Sequence, residues 1–185
     1  MICFSNRDFN TIGGIMINFI FLFFISLNIS TYDSICKVYR DELQFTGVSI
    51  SENLVLTVGH IGYEDYMFLE FCGENGLRFK VKATVVKQSK SLTLLSYSKP
   101  PHITGSVKIL KVSTKTPTRI DLKGWRGQFF YWYEGVDASK VLIKQKIDSF
   151  IAIENGMLVG IQSHQYGDNV YFINSAQILD FIDGP

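Results

Sequence analysis

From about residue 35 onward the chain is a succession of short apolar or alternating runs, each closed by a turn signal. That rhythm restricts it to all-β folds. Runs at 44–50 and 54–58 flank the turn Ser51-Glu52-Asn53. A run at 66–71 is followed by Gly73-Glu74-Asn75-Gly76. Over 77–86, Leu77, Phe79, Val81, Ala83 and Val85 fall on one side, and Arg78, Lys80, Lys82 and Thr84 on the other, the period of a half-buried strand. A run at 92–97 precedes Lys99-Pro100-Pro101-His102, where two prolines block both helix and ladder and mark a link. A second set of strands is expected at 107–112, 119–124, 128–133, 140–147, 150–153, 157–163 and 170–173. Asn155-Gly156 supplies the pair favoured in hairpin turns. A closing helix at 176–182 follows, capped by Asn174 or Ser175, with Ile178, Leu179 and Ile182 on one face. The two runs hold about six strands each, and periodicity alone admits sandwich or barrels.

Composition narrows the class. The 185 residues are 46% hydrophobic, too apolar for a disordered chain. Eighteen basic and 17 acidic residues give a net charge of +1 with no basic stripe, so no nucleic-acid partner is expected. Lys80 and Lys82, within a cluster that includes Lys87 and Lys90, read as the wet face of a strand. No Cys and His pattern has metal-ligand spacing, and neither metal nor cofactor is expected.

Residues 15–29, IMINFIFLFFISLNI, are almost purely apolar and lack a polar face. Their length suits a signal-peptide core better than a spanning helix. Residues 1–30 are therefore expected to be a signal peptide or, failing cleavage, a membrane anchor, with translation starting at Met1 or Met16. That makes the chain secreted, with membrane contact only if the segment is retained. Cys3 would leave with a signal peptide, and Cys36 and Cys72 would remain as a pair that could bridge or stay as two small hydrophobes.

The segment 47–60, GVSISENLVLTVGH, resembles the stretch of trypsin-like and HtrA-like serine proteases that ends in the catalytic histidine. Further matches follow in order. Residues 68–86 resemble the next hairpin, and Ser91-Leu92-Thr93-Leu94-Leu95 stands where the family has Asp-Leu-Ala-Leu-Leu. Gly124-Trp125-Arg126-Gly127 is similar to a family Gly-Trp-Gly, and 158–163 to the strand lining the specificity pocket. The resemblance implies two six-stranded antiparallel β-barrels, at about 38–100 and 104–185 within a domain spanning 31–185, with a short C-terminal helix. Its partners would be a protein or peptide, bound as substrate or otherwise.

The resemblance also assigns catalytic positions. A serine nucleophile needs a neutral imidazole to take its proton, a carboxylate to orient that imidazole, and an oxyanion hole. His60 fills the base position. Ser91 replaces the aspartate, and a neutral hydroxyl can orient an imidazole but cannot stabilise its cation. Glu64 and Asp65 read as solvated turn charges. The sole Asp-Ser pair near the nucleophile position is Asp148-Ser149, and a gapless count puts Ile147 or Asp148 there instead. Ser149 is thus either the nucleophile or an ordinary strand-end serine. Ile147, Phe150 and Ile151 replace glycines that shape the oxyanion hole. The expectation is a secreted protease homologue, catalytically impaired or inactive, that acts by binding. The alternative is an active serine endopeptidase using His60 and Ser149. His164 could meet an acidic or amide side chain, or sit on an exposed loop. In 129–133, FFYWY, alternation puts Phe129, Tyr131 and Tyr133 on one face and Phe130 and Trp132 on the other.

Overall fold

The computed structural model describes residues 31–59, 66–73, 76–126, 129–137, 149–166 and 169–184. The apolar segment expected to direct secretion lies outside them, as do His60, Glu64, Asp65, Ile147, Asp148 and the expected strand at 140–147.

The first half is a closed barrel. Strands β1 (Thr31–Arg40), β2 (Leu43–Ser51), β3 (Leu54–Val58), β4 (Tyr66–Gly73), β5 (Arg78–Gln88) and β6 (Leu92–Tyr97) run in the order β2-β3-β6-β5-β4-β1, and β1 pairs with β2 to complete the ring. Alternation fills it: Cys36, Val38, Val55, Leu69, Phe71, Phe79, Ala83 and Leu95 point inward. The barrel begins at Thr31 rather than near 38, because the residues before Lys37 already pair with β2 and β4. Arg78, Lys80, Lys82 and Thr84 face water as their spacing predicts.

The two cysteines do not pair. Both thiols are free. Cys36 lies opposite Phe71 in the ladder and shares its inward face, so Cys72, one residue on, points to the other side of the sheet. Burial pushes the Cys36 thiol pKa up, and it stays protonated.

The link between the halves differs from expectation. The segment at 107–112 is not a strand of the second sheet. Only β7 (Ser106–Val107) is extended in a ladder, and it runs parallel to β1 of the first barrel. Beyond it, Leu110 N–H donates to the Ser49 carbonyl at 2.9 Å, while Leu158 N–H and Ser113 N–H exchange bonds with the Lys111 and Leu158 carbonyls. The backbone groups of one apolar segment are thus divided between two sheets.

The second sheet contains β8 (Arg119–Arg126), β9 (Phe129–Asp137), β10 (Ile151–Glu154), β11 (Met157–Tyr166) and β12 (Asn169–Asn174), in the order β12-β11-β10-β8-β9. Asn155 and Gly156 both adopt positive φ between β10 and β11, which gives the two-residue turn whose twist matches the strands. Helix α1 (Ser175–Asp183) closes the chain. Asn174 caps it: its side chain accepts the Gln177 N–H at 3.0 Å, and the Gln177 side chain accepts the Asn174 N–H at 3.1 Å.

An apolar layer lies between the halves. Ile35, Val48, Leu56, Val58, Leu92 and Leu94 of the first barrel pack with Trp125, Ile151, Leu158, Ile161, Ile173 and Ile178 of the second half. Strand β3 is buried on both faces for this reason, with Val55 inside its barrel and Leu56 in the layer between.

Candidate functional site

The residues that carry the sequence motif meet along this inter-barrel layer. At the end of β3, Gly59 adopts φ +95°, and a Cβ there would sit 3.2 Å from the Phe45 ring. Glycine meets both demands at once. The Gly59 N–H donates to the Ser91 carbonyl at 3.0 Å, and the Thr93 hydroxyl donates to the Gly59 carbonyl at 2.8 Å. The residue before His60 is therefore fixed on both sides by the segment that stands in the family's acid position. Ser91 itself is exposed on the turn entering β6, and its main chain makes this contact.

Along the same layer, on the neighbouring strand β2, begins a buried knot of hydroxyls. Thr46 on β2 and Ser149, two residues before β10, are both fully buried. The Thr46 N–H donates to Ser149 Oγ at 2.5 Å, and Thr46 Oγ1 donates to the Ser149 carbonyl at 2.9 Å. Thr46 Oγ1 also accepts the Trp125 N–H at 2.9 Å. The threonine hydroxyl thus relays what would otherwise be a direct ladder bond between β8 and the chain leading into β10. Thr57 of β3 ties the knot to the first barrel by donating to the Thr46 carbonyl at 2.9 Å. Close approach requires a bare backbone on β8: a Cβ on Gly124 would lie 2.3 Å from the Ser149 carbonyl oxygen.

The candidate residues are thus separated in environment. Ser149 holds its oxygen inside the interface, bonded to main chain, and Ser91 sits in water beside the residue preceding His60. Sequence reasoning missed Thr46, Thr57 and Thr93. All three are fully buried, and Thr57 and Thr93 sit in otherwise apolar runs, LVLTV and LTLL. A hydroxyl in such a run must find a partner, which was the available signal. On β11, Gln162 is buried and its N–H donates to the Phe150 carbonyl at 2.8 Å, and across the bulge between Gln162 and His164 the Ser163 Oγ donates to the Tyr171 carbonyl at 3.1 Å.

Next to the interface a cavity of about 220 Å³ is lined by Asp33, Ile35, Cys72, Arg78, Trp125 and Phe130 among others. The aromatic strand β9 borders it. Tyr131 and Tyr133 pack on the core of the second half, while Phe130 and Trp132 remain exposed, so the two faces divide as alternation predicts. Lys123 connects this surface to the first barrel, 3.9 Å from the Asp33 carboxylate and 5.0 Å from the Trp132 ring centroid.

A closed six-stranded barrel, a second antiparallel sheet, a buried interface between them and a C-terminal helix define the trypsin-like serine protease fold. Solved structures agree. The chain is similar to a serine protease of human pathogenic astrovirus, with a TM-score of 0.55 and 13% identity over 76% of this chain and 88% of that one. Human heparin binding protein gives a TM-score of 0.58 and 17% identity over 82% and 90% of the two chains. Kallikrein-related peptidase 10 gives 0.55 and 14% over 81% and 93%. No protein-family model and no curated protein sequence matches the chain.

Proposed function

We propose that this chain is a secreted protease-fold protein that binds a protein or peptide and does not cleave it. The observation that carries this reading is the state of Ser149. A nucleophilic hydroxyl needs an open approach for a carbonyl carbon and an imidazole within about 2.6–3.2 Å to take its proton. Ser149 is fully buried, and its oxygen already accepts the Thr46 N–H. Ser91 adds to the argument, since the neutral hydroxyl in the acid position cannot stabilise an imidazolium. In a working serine protease triad, replacing the acid by its neutral amide lowers the rate by about 10⁴. The exposed Phe130 and Trp132 beside the interface are suited to a partner, as aromatic side chains supply large contact areas at low entropic cost. The apolar segment before Thr31 supports export.

A second reading, a serine endopeptidase using His60 and Ser149, draws on one specific observation: both sides of Gly59 are hydrogen-bonded to the Ser91–Thr93 segment, an arrangement that would hold His60 steady. Treatment with a serine-directed phosphonate separates the two. The expected result is no adduct by intact mass. An adduct at Ser149 that disappears in His60→Ala would establish a coupled nucleophile and base, and binding without cleavage would be wrong.

A further inference from the structure

The outer face of β1, β4 and β5 carries a cationic and aromatic array that neither the barrel core nor the inter-barrel site uses. The ladder sets Lys37 beside Glu70 and Glu70 beside Lys80 in one row, with Tyr39, Phe68 and Lys82 in the next. Glu70 lies in the middle of the three-strand face and serves Arg78 at 3.1 Å and Lys80 at 3.6 Å. The cations are held against rings. Lys37 and Lys80 stand 5.0 and 5.6 Å from the centroid of Tyr39, and Lys82 stands 3.8 Å from that of Tyr66. Lys37 is only 8% exposed, an unusual burial for an ammonium group. Between the rows lies a hollow of about 250 Å³, floored by Tyr39, Phe68 and Val81 and rimmed by Lys80 and Lys82.

We propose that this hollow binds a sulfated polysaccharide, with a pyranose ring over Phe68 and sulfate groups on Lys80 and Lys82. Charge complementarity selects a polyanion: Lys82 has no carboxylate within ion-pair distance among the described residues, and Glu70 is shared between two cations. Lys80 and Lys82 alternate along β5, so both stems leave the same face of the sheet and offer two anion contacts side by side. Stacking against rings removes rotamer freedom before any ligand arrives, which lowers the cost of binding. The same stacking disfavours a single-stranded nucleic acid. Bases bind such surfaces by stacking on open aromatic faces. Here Tyr39 and Tyr66 carry the protein's own cations, and Phe68, 37% exposed, has none over it among the described residues. Phe68 packs against Tyr39 at 5.9 Å and edge-on to Tyr66 at 5.6 Å, and its remaining exposed surface suits the apolar face of a sugar. This inference does not depend on whether the inter-barrel site hydrolyses peptides.

The test is binding of the full-length chain to heparin, to chemically desulfated heparin and to single-stranded poly-dT. Each is measured at two salt concentrations, with circular dichroism of every variant to confirm folding. Heparin should bind, desulfated heparin should not, and affinity should fall with salt as screened ionic contacts require. Removing two charge-assisted contacts in Lys80→Ala/Lys82→Ala should weaken heparin binding by about tenfold or more. Lys90→Ala/Lys111→Ala, which removes two exposed lysines elsewhere, should change it by less than about twofold. Phe68→Ala should weaken binding by about threefold while leaving the salt dependence unaltered, since it removes contact area and no charge. Equal losses in the two double-lysine variants, tighter binding of poly-dT than of heparin, or no effect of Phe68→Ala would overturn the proposal.

Discussion

The two ends of the candidate site are fixed by the same kind of bond in opposite settings. At the histidine end, a main-chain bond from Gly59 to Ser91 and a hydroxyl bond from Thr93 hold the turn that leads to His60, and Ser91 itself is bathed in water. At the serine end, Thr46, Trp125 and Ser149 exchange three bonds within a fully closed interface. The first arrangement ties main chain together and leaves the Ser91 side chain exposed. The second consumes the polar atoms it contains. Hydrogen bonding alone therefore does not mark a catalytic centre. What distinguishes the two ends is whether a polar atom is left available after the fold has been satisfied.

The sharpest way to break this contrast is to remove one hydroxyl at each end by an isosteric change. Thr46→Val places a methyl group where Oγ1 relays between Trp125 and Ser149. The Trp125 N–H and the Ser149 carbonyl are then buried and unpaired, at about 1–3 kcal/mol each, so a loss of about 3 kcal/mol is expected. Thr93→Val deprives only the Gly59 carbonyl of a partner, and about 1 kcal/mol should be lost. Urea denaturation with unchanged m-values measures both. Equal losses would mean that the buried knot has no special weight.

Ser149→Ala is a smaller perturbation and addresses the serine directly. The Thr46 N–H loses its acceptor while the Thr46 hydroxyl keeps the Ser149 carbonyl. A destabilisation of about 1–2 kcal/mol is expected. A serine held in a cleft as a free nucleophile would lose no such bond, and its replacement by alanine would leave stability unchanged within about 0.5 kcal/mol. Thermal or urea unfolding of the purified variant decides between the two.

How much of this was legible in the sequence depended on how local each determinant is. The alternation over 77–86 predicts which side chains of β5 enter the barrel because a strand's period is set by its own backbone. Asn155-Gly156 predicts its turn because both residues tolerate positive φ. The segment at 107–112, VKILKV, reads as a strand from its apolar residues, yet its N–H groups go to Tyr32 and Ser49 of the first barrel while its Lys111 carbonyl takes the Leu158 N–H of the second sheet, and no local pattern encodes the partner. The same holds for Ser149. The Asp148-Ser149 pair and the missing glycines are visible in the sequence, but the burial of Ser149 is imposed by Thr46, roughly a hundred positions earlier, and by the bare backbone of Gly124. Thr46 follows Phe45 and precedes Gly47, and nothing in those neighbours announces a hydroxyl that joins two barrels.

The smallest effect concerns a carboxylate outside both ends of the site. Glu154, the last residue of β10, accepts the N–H groups of Thr118 and Arg119 at 2.8 and 3.0 Å and so fastens the start of β8 to the β10–β11 hairpin. These backbone donors favour the ionised form, and they hold the Glu154 pKa below its ordinary value of 4.5. The sign of the linkage follows. A carboxyl with a lowered folded pKa binds fewer protons in the folded state than in the unfolded one. Its contribution is therefore complete above pH 4.5 and is lost as pH falls through the lower, folded value. The group is exposed and solvent weakens the effect, so local geometry rather than global stability should report it. Following the Thr118 and Arg119 amide signals by NMR from about pH 6 to about pH 2 should show a shared midpoint below 4.5, absent in Glu154→Gln. A midpoint at or above 4.5 would show that the carboxylate does not hold those two amides, and that the second half, like the hydroxyl-tied interface, has no acid-sensitive fastening at this corner.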